Sequence, residues 1–509
     1  MIIRLIFGDQ LNAKHSWFSA INPNVLYVMM EVRQETDYAP HHIQKVLGIF
    51  LAMRTFAQQL TALGHNLKYF KLDDNDNQQS VTTNLHQLLL QKKATQFHYL
   101  IPDEYRVATY MQSFCISLSI PTEVLSTEHF MSEPKEFADL FEGKKTFIMD
   151  SFYRFMRRKH DILIENNKPL FGKWSFDGDN RKKLPKNTPI PAPLLFHKDV
   201  SDLVKLISNH GVKTIGTVAA DNFIWPTSND EAQQLLDYFC KNLLVHFGTY
   251  QDAMAVNQWS IFHSRLSFAM NLKLISPHQV IHQAVQHWKI NQSTIDYHQI
   301  EGFVRQILGW REYMRGLYWT QMPAFASLNF FEHQNPLPQW FWSGETKMTC
   351  LSQSIKQSLT YSYAHHIQRL MVTGNFALLA GVHPDEVDQW YLGIYIDAFE
   401  WVEITNTRGM SQYADGGLTG TKPYISSASY IDKMSDYCSN CYYDKKEKIG
   451  SKACPFNSLY WNFIDNHRAK LSSNPRMTMM YAVWDKMDAN TQSAILTKAQ
   501  IYLSKIDEL

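Results

Sequence analysis

The sequence predicts an α/β domain with a doubly wound parallel sheet, followed by a large all-α domain. Up to about residue 125, short apolar runs alternate with helical patterns, which is typical of parallel sheets with crossover helices. From about residue 230 onward, apolar residues recur at helical spacing without strand alternation. We therefore divide the 509 residues into an α/β domain (1–130), a connector (131–229) and a helical domain (230–509).

The first domain contains four apolar runs that predict strands, and helical patterns lie between them. The predicted strands are Ile2–Phe7, Val25–Val32, Leu67–Leu72 and Phe97–Ile101, and the predicted helices are His42–Leu63, Val81–Leu90 and Tyr105–Leu118. Sheets of this kind bind ligands at the carboxyl ends of their strands. No Gly-x-Gly-x-x-Gly motif follows the first strand, which disfavours an ordinary dinucleotide site there.

The second domain is rich in tryptophan, and its apolar spacing predicts a succession of helices. They include Leu235–Leu244, Ile261–Leu274, Gln299–Tyr318, His365–Leu379, Glu386–Val402 and Met477–Met487. Prolines and a Gly416-Gly417 pair indicate loops between them.

Charge is unevenly distributed along the chain. The whole sequence has 49 Lys and Arg against 48 Asp and Glu, and a net charge of +1 argues against a polybasic nucleic-acid binder. Between Asp150 and Lys186, however, ten basic residues face five acidic ones, so this stretch carries +5 and the remainder −4. The connector is therefore the natural place for contact with phosphates.

Neither a membrane partner nor export is expected. The longest apolar runs are far shorter than the ~20 residues of a membrane-spanning helix. The first residues lack the basic start, long apolar stretch and cleavage site of a signal peptide. We expect a cytoplasmic protein, in which the six cysteines do not form a disulfide framework.

Four of the cysteines have the spacing of a metal site. Cys438 and Cys441 form a Cys-x-x-Cys motif, Cys454 follows after twelve residues, and Cys350 is available earlier in the chain. Thiolates are soft ligands that hold zinc or iron–sulfur clusters. The residues alone allow a four-cysteine zinc site or a [4Fe–4S] cluster, and the Cys-Pro step at Cys454 favours the cluster.

Several stretches together resemble the photolyase and cryptochrome superfamily, and within it the bacterial iron–sulfur (6-4) photolyases, or deoxyribodipyrimidine photolyase-related proteins. The stretches are residues 7–11 (FGDQL), 152–154 (FYR), 172–177 (GKWSFD), 309–313 (GWREY), 364–370 (AHHIQRL), 373–376 (TGNF) and 415–417 (DGG), with the cysteine cluster. The resemblance covers nearly the whole chain. It implies an N-terminal antenna domain, a helical domain that encloses FAD, and a [4Fe–4S] cluster rather than zinc.

The resemblance also implies which residues contact FAD. Residues 262–267 resemble the family's phosphate-binding segment. Arg369 and Asp397 match the charge pair beside the flavin ring, and Glu403 stands where many relatives have an Asn facing the N5 atom of that ring. The implied FAD contacts are Tyr250, His263, Ser264, Leu266, Ser267, Glu301, Arg305, Arg369, Asn375, Asp397 and Glu403.

The lesion site is implied by two adjacent histidines. His366 matches the histidine that donates a proton to the photoproduct, and imidazole suits this task because its pKa lies near neutral pH. The second histidine of the eukaryotic enzymes is Leu370 here, so His365 and the tyrosines Tyr424 and Tyr430 are expected to assist. Ile307 replaces a glutamate of enzymes that repair cyclobutane dimers, which argues against that substrate.

Three further sets of residues follow from the resemblance. The electron-transfer chain to the flavin is expected to be Trp342, Trp390 and Tyr391. The antenna pocket is expected to hold 6,7-dimethyl-8-ribityllumazine between Asp9, Gln10, Glu35, Tyr38 and Lys45. The basic residues Arg181, Lys182 and Lys183 are expected to contact DNA, and Asp177 and Asp179 are candidate ligands for Mg²⁺.

We therefore expect light-driven repair of (6-4) pyrimidine–pyrimidone photoproducts, by electron transfer from excited reduced FAD and proton donation by a histidine. The substrate is UV-damaged duplex DNA with the lesion flipped out, and the enzyme is expected to be a bacterial monomer that joins the nucleoid when on DNA. The alternatives are a cryptochrome-type blue-light photoreceptor and, less favoured, a redox-sensing iron–sulfur protein that binds nucleic acid.

Overall fold

The first domain contains a parallel sheet, as the alternating apolar runs predict. In the computed structural model, which describes residues 1–509, its strands are β1 (Ile2–Leu5), β2 (Val25–Met30), β3 (Leu67–Phe70), β4 (Gln96–Leu100) and β5 (Thr122–Leu125). Their order is β3-β2-β1-β4-β5, and all neighbours are parallel. The adjacent carboxyl ends of β1 and β4 form the switch point at which such sheets bind ligands.

The sequence did not predict β5, because this edge strand lacks an apolar face. Its residues Thr122, Glu123 and Val124 are exposed, and only Leu125 is half-buried. The other four strands begin and end within two residues of their predicted bounds.

Helices cover both faces of the sheet. They are α1 (Ile43–Ala62), α2 (Val81–Gln91) and α3 (Tyr105–Ile116). One face packs with α2 and α3 into a small apolar core that includes Phe97 and Met111. The other face packs on α1, and its side chains belong to the large core that continues through the helical domain. The two domains therefore share one apolar interior, and the boundaries at residues 130 and 229 stay predictions.

The connector combines short helices, a small hairpin and extended segments. Its elements are α4 (Pro134–Phe141), α5 (Met149–Lys159), β6 (Ile164–Glu165), β7 (Lys168–Pro169) and α6 (Ser201–Asn209). Residues 180–199 contain neither helix nor strand. This extended segment lies against the helical domain, where Lys182 donates its backbone N–H to the carbonyl of Thr249.

The second domain is helical throughout, as predicted. Its helices are α7 (Asn229–Tyr238), α8 (Leu244–Tyr250), α9 (Ser267–Asn271), α10 (Pro277–Ile290), α11 (Tyr297–Val304), α12 (Glu312–Gln321), α13 (Thr349–Tyr361), α14 (Asn375–Leu379), α15 (Pro384–Ile394), α16 (Glu400–Ile404), α17 (Ala428–Met434), α18 (Pro455–Asn466), α19 (Arg468–Leu471), α20 (Thr478–Asp485) and α21 (Ala489–Ser504). Wide π-helical turns at Phe239–Leu243, Arg305–Arg311, Gln368–Gly374 and Thr405–Ser411 adjoin several of them. None of the helices combines the length and apolar character that crossing a membrane requires.

Two predicted helices are interrupted, and both interruptions lie at the expected flavin site. The helix predicted over 261–274 shrinks to α9, because Ile261 and Arg265 have positive φ angles of 42° and 57° that a helix does not tolerate. The helix predicted over 386–402 divides into α15 and α16, with extended backbone at Tyr395 and Phe399. At each break, backbone groups and side chains point in directions that a continuous helix would not allow.

The start of α1 attaches the sheet domain to the end of α15. His42 donates its backbone N–H to the carbonyl of Gly393, and its ring bonds to the carbonyl of Leu359. A Cβ at Gly393 would lie only 2.3 Å from the carbonyl oxygen of Pro40, so only glycine permits this approach. The residues just before and within the first turn of α1 thus lie close to the helix that carries Trp390.

Candidate functional site

A buried ion pair lies at the centre of the helical domain. Arg369, on the wide turn before α14, donates to the Asp397 carboxylate over 2.9 Å. Ser267 donates to the other oxygen of this carboxylate over 2.5 Å, and Arg369 lies over the Tyr395 ring at 3.8 Å. The Asp397 carboxylate raises the pKa of Arg369 further above its ordinary value against the opposing effect of burial. The guanidinium is therefore a permanent cation.

Glu403 is the third charged group of this site. It lies on α16, accepts a hydrogen bond from the Thr407 hydroxyl and stands 4.0 Å from Arg369. Burial raises the pKa of Glu403, and the Arg369 charge opposes that rise. A raised pKa brings a carboxyl closer to the range in which it can exchange a proton.

The loop before α9 has the form that a phosphate group requires, because it leads into the N-terminus of a helix. The positive φ of Arg265 turns the chain so that Ser264, Leu266 and Ser267 surround the start of α9. The first N–H groups of a helix have no partner within it and attract anions. The Ser264 hydroxyl accepts a hydrogen bond from the Leu266 N–H at 3.4 Å, so this serine satisfies one of the backbone donors at the start of α9.

Two residues that flank this loop, His263 and Tyr250, have specific contacts in the structure. The His263 ring lies between the carbonyl oxygens of Ser260 and Gln251, at 3.1 and 3.0 Å, so this side chain supports the loop. The Tyr250 ring stacks on Phe262 at 5.7 Å from the end of α8.

The two adjacent histidines have opposite environments. His365 is buried, its ring stacks on His263 at 4.4 Å, and neither of its ring nitrogens has a hydrogen-bond partner. His366 is exposed at the surface of the site, although the surrounding protein and the Arg369 charge lower its pKa to about 4. The role of His366 as proton donor therefore stays a prediction, and its local environment disfavours the protonated form.

The orphaned polar atoms of His365 allow the fit of FAD to be tested. A buried polar atom is nearly always satisfied by protein, water or ligand. The unpaired His365 nitrogens, the open helix start at α9 and the Arg369–Asp397 pair all lie in one region of contacting residues. A ligand with hydrogen-bonding rings and a diphosphate fits this donor set, so the residues present suit FAD.

The expected lesion tyrosines lie beside the basic loop of the connector. Tyr430, on α17, donates to Asp252 over 3.4 Å, and burial raises the pKa of Asp252 to about 6. The charge of Arg181 acts on Asp252, Tyr424 and Tyr430 alike, which places this guanidinium among them. The sequence did not single out Asp252, and no spacing motif points to it.

Glu301 and Arg305 have partners in the connector rather than the arrangement we expected beside the flavin. Glu301 accepts from the Tyr153 hydroxyl at 3.2 Å and from the backbone N–H of Phe176 at 3.0 Å. Arg305 pairs with Asp177 at 2.8 Å. Both oxygens of Glu301 therefore hold the connector onto α11, and its contact with the flavin stays a prediction.

Asn375, another expected flavin contact, also has partners within the protein. Its amide nitrogen donates to the carbonyl of Ser426 and its amide oxygen accepts from the N–H of the same residue, at 3.0 and 3.1 Å. Both ends of this side chain thus join α14 to the loop before α17.

Asp177 and Asp179 do not form a cation site. Asp177 forms ion pairs with Arg305 and Arg181, and these charges lower its pKa although burial opposes them. No group of three His, Cys, Asp or Glu side chains anywhere in the chain lies close enough to hold a single metal ion. The carboxylate of Asp177, which we expected to bind Mg²⁺, instead forms ion pairs with two guanidinium groups.

The basic residues Arg181, Lys182 and Lys183 are all exposed, as contact with a duplex requires. Arg181 is held by Asp177, and the Lys183 ammonium donates to the backbone carbonyl of Asp432 at 3.0 Å. The loop therefore rests on α17 next to the lesion tyrosines.

The aromatic residues of the expected electron chain run from the surface to the ion pair. Trp342 is 41% exposed, whereas Trp390 and Tyr391 are buried on α15. The Trp390 and Tyr391 rings are 5.4 Å apart, and Tyr391 lies 5.5 Å from Tyr395, which stacks on Arg369. Trp390 contacts Phe341, the neighbour of Trp342, at 5.2 Å.

A large pocket of about 920 Å³ opens at the switch point of the sheet. Asp9, Glu35, Tyr38 and Lys45 line it, together with apolar side chains from β1, β2 and α1 and with Phe399 of the second domain. Sequence reasoning missed Asp103 and Glu104, which follow β4 and line the same pocket. The feature of the sequence that could have identified these two residues is their position directly after a predicted strand.

Gln10 does not line this pocket. Its buried amide accepts from the N–H of Phe7 and donates to the carbonyls of Leu100 and Ile101. These bonds join the ends of β1 and β4, so the structure corrects the expectation that Gln10 contacts the antenna.

The pocket is acidic, and two basic residues next to it are paired with its carboxylates. Arg106 binds both oxygens of Glu35 at 3.1 and 2.7 Å, and Lys273 pairs with Asp103 at 2.6 Å. Burial, together with the neighbouring carboxylates, raises the pKa of Asp9 to about 7 in spite of the Lys273 charge.

The four predicted cysteines converge. Cys350 lies in the first turn of α13, Cys438 and Cys441 in a tight turn, and Cys454 at the N-cap of α18, where Pro455 begins the helix. All four line one small cavity among apolar side chains. Their thiols therefore face a common space, although no three of them lie close enough together to bind a single metal ion as they stand.

We expect Glu403→Gln to alter the photoreduction of bound flavin, because the variant removes the ionisable group beside Arg369. The initial rate should change by at least about threefold, which corresponds to half a pKa unit of interaction, while flavin content is retained. Absorbance during blue illumination measures the rate, and Glu386→Gln on the exposed side of α15 is the matched control. A course of photoreduction identical to that of the control would contradict the role given to Glu403.

Comparison with known proteins agrees with this geometry. Residues 4–225 match the model of the family "Deoxyribodipyrimidine photo-lyase-related protein". A (6-4) photolyase of Agrobacterium fabrum is 40% identical over 512 residues, which cover 99% of each chain. The fold resembles a bacterial class III photolyase from Agrobacterium tumefaciens (TM-score 0.59, 15% identity, 96% and 98% of the two chains). It also resembles a Synechocystis cryptochrome (TM-score 0.58, 12% identity, 98% of each chain). The predicted fold class is confirmed, and the chain belongs to the photolyase and cryptochrome superfamily.

Proposed function

We propose that this protein is a (6-4) photolyase that repairs UV-damaged DNA with light. The observation that carries the proposal is the exposed His366 three residues before Arg369 of the buried Arg369–Asp397 pair, within a chain whose 40% identical relative over its full length is a (6-4) photolyase. FAD bound at this pair would supply the light-driven electron.

The residues of the chain provide the rest of the chemistry. Arg369 places a permanent positive charge beside the flavin, which favours a reduced, anionic ring. Burial of this pair excludes water and strengthens its field. Tyr424, Tyr430 and Arg181 form the rim that would receive the flipped nucleotides, and the exposed Lys182 and Lys183 would contact the duplex.

The proton must come from His366, and the structure constrains how. With a pKa of about 4, this imidazole is neutral at pH 7 in the free protein. A lesion with its phosphates brings negative charge to the site, and negative charge raises the pKa of a histidine. We infer that DNA binding raises the pKa of His366 and so favours the protonated form that can act as the acid.

His366→Ala should abolish repair of (6-4) photoproducts, with a loss of at least about a hundredfold, as expected for removal of a general acid. Bound flavin should be unchanged, because His366 does not contribute to the Arg369–Asp397 pair. Illumination of damaged oligonucleotides followed by chromatography measures repair, and His86→Ala on the exposed face of α2 is the control. Retained repair in His366→Ala would overturn the assignment.

The same assay separates the proposed enzyme from its alternative. Wild-type protein should restore (6-4) photoproducts and leave cyclobutane dimers intact, because Ile307 supplies no lesion-binding carboxylate. Failure to restore either lesion, with flavin bound and photoreduced, would favour a photoreceptor of the cryptochrome type.

We infer that Cys350, Cys438, Cys441 and Cys454 hold a [4Fe–4S] cluster. The support is their convergence on one apolar cavity from α13, α18 and the turn between α17 and α18. A cluster there would hold together three segments that are otherwise distant in sequence, which gives it a structural task.

Purified protein should therefore contain about four iron atoms and four labile sulfides per chain. Cys454→Ser should lower the iron content and the thermal stability, because one ligand is lost, whereas Cys115→Ser, outside the cluster, should leave the iron unchanged. Elemental analysis decides between the metals, and one zinc per chain without iron would contradict the cluster.

The antenna pocket favours a chromophore without phosphate. Asp9, Glu35, Asp103 and Glu104 line the pocket, and two of its basic neighbours, Arg106 and Lys273, are paired with them. A phosphate group would meet several carboxyl groups whose basic neighbours are already paired, whereas the hydroxyls of a ribityl chain can donate to them. This supports 6,7-dimethyl-8-ribityllumazine as the antenna.

Chromophore-free protein should accordingly bind riboflavin at least about tenfold more tightly than FMN, a difference of 1.4 kcal/mol. The two compounds share one ring and differ only in the phosphate. Fluorescence titration measures both affinities. A Met53→Trp variant, which fills the pocket, identifies binding elsewhere. Equal or tighter binding of FMN to this pocket would refute the argument from charge.

A further inference from the structure

Lys45 is a buried ammonium without an ion-pair partner. The side chain is 2% exposed, and its Nζ donates to the backbone carbonyl of Leu392 at 2.9 Å. No carboxylate lies within ion-pair distance of it, unlike the buried Lys273, which pairs with Asp103. An unpaired buried charge is costly, so it is rarely retained without a task.

This ammonium borders two sites. Lys45 lines the antenna pocket and lies 5.5 Å from the ring of Phe399, which lines it too. Phe399 in turn accepts the backbone N–H of Glu403 at 2.8 Å. Leu392, the carbonyl partner, lies on α15 directly after Trp390 and Tyr391.

The groups that face Lys45 come from both domains. Glu104 follows β4, Asp397 lies between α15 and α16, and Glu403 lies on α16; each raises the pKa of Lys45 from a distance. His41 faces it from the segment before α1, and its pKa is lowered by burial and by the Lys45 charge. Burial outweighs the three carboxylates and lowers the pKa of Lys45 to about 8.

Capping of α15 is the simplest role for this residue, since a cation near a helix C-terminus is favourable. Capping does not explain why the same ammonium lies on the wall of the antenna pocket. It also does not explain why carboxylates of two sites converge on it without touching it.

We propose that Lys45 electrostatically couples the antenna pocket to the flavin site, because its ammonium is a cation that both sites share. The inference rests on the proposed flavin position beside Arg369 and Glu403. When Lys45 is charged, it helps to keep Glu403 ionised and favours reduction of the flavin. When it is neutral, both effects are lost.

The direction of the pH effect follows from this arrangement. Lys45 is charged below about pH 8 and neutral above it, so flavin photoreduction should slow as the pH rises through this value. A chromophore in the antenna pocket replaces water beside Lys45, and loss of water disfavours the charged form. Loading the pocket should therefore move the inflection to lower pH by at least about half a unit.

The experiment compares photoreduction of bound flavin between pH 6.5 and 9.5 in wild type, Lys45→Met and Lys45→Arg, with Lys92→Met as an exposed control. Each protein is measured with the lumazine chromophore and after its removal, and direct excitation of the flavin excludes energy transfer. Wild type and Lys92→Met should show the inflection near pH 8. Lys45→Met should lack it and remain at the slow rate.

Lys45→Arg keeps a charge that does not titrate, so it should remain at the fast rate at every pH, and it also serves if Lys45→Met does not fold. An inflection that persists in Lys45→Arg, or that moves on loading equally with and without Lys45, would overturn the proposal. Absence of bound flavin from the wild type would instead refute the proposed function, which the repair assay tests separately.

Discussion

The buried pair of Arg369 and Asp397 is the interaction on which the site depends. Arg369 comes from the wide turn before α14, Asp397 from the break between α15 and α16, and Ser267 from the start of α9. One carboxylate thus joins three segments that are far apart in sequence. Removing one partner of such a pair typically costs about 3–5 kcal/mol, because the other charge is left buried and unpaired.

The Arg369–Asp397 pair also explains why helical structure is interrupted at two places in the chain. The chain leaves helical geometry at Arg265 and again between Tyr395 and Phe399. These departures release the start of α9 and direct Asp397 inward. Locally unfavourable backbone conformations persist at such places because the surrounding packing determines them. Around the pair, Tyr395 stacks on the guanidinium and connects it to the buried rings of Tyr391 and Trp390.

The contact between the two domains connects the region of the Arg369–Asp397 pair to the sheet domain. The first turn of α1 bonds to the end of α15, and no side chain fits at Gly393 between them. The antenna pocket is therefore closed partly by Phe399 of the second domain. A single apolar core continues across this contact, so the two sites are held at a constant separation.

Much of this could be predicted from residues in sequence. Alternating apolar runs predicted four of the five parallel strands. The spacing of Cys438, Cys441 and Cys454 predicted a metal site, and these cysteines line one cavity with Cys350. Motif resemblance indicated Arg369, Asp397 and the two histidines. These features depend on periodicity and residue type, which any chain displays directly.

Only the tertiary structure decided how those residues are used. Glu301, Asn375 and Gln10 have suitable chemistry, but their polar atoms bind to partners within the protein. Asp177 is a residue type that binds metal cations, but in the fold its carboxylate forms ion pairs with two guanidinium groups. The pKa of His366 and the isolation of Lys45 likewise depend on burial and on charges from distant segments. Sequence thus determined which elements form and which chemical groups are present. Packing determined which of those groups keep unsatisfied hydrogen-bonding capacity or an unpaired charge. The remaining groups are satisfied by neighbours that the fold places beside them.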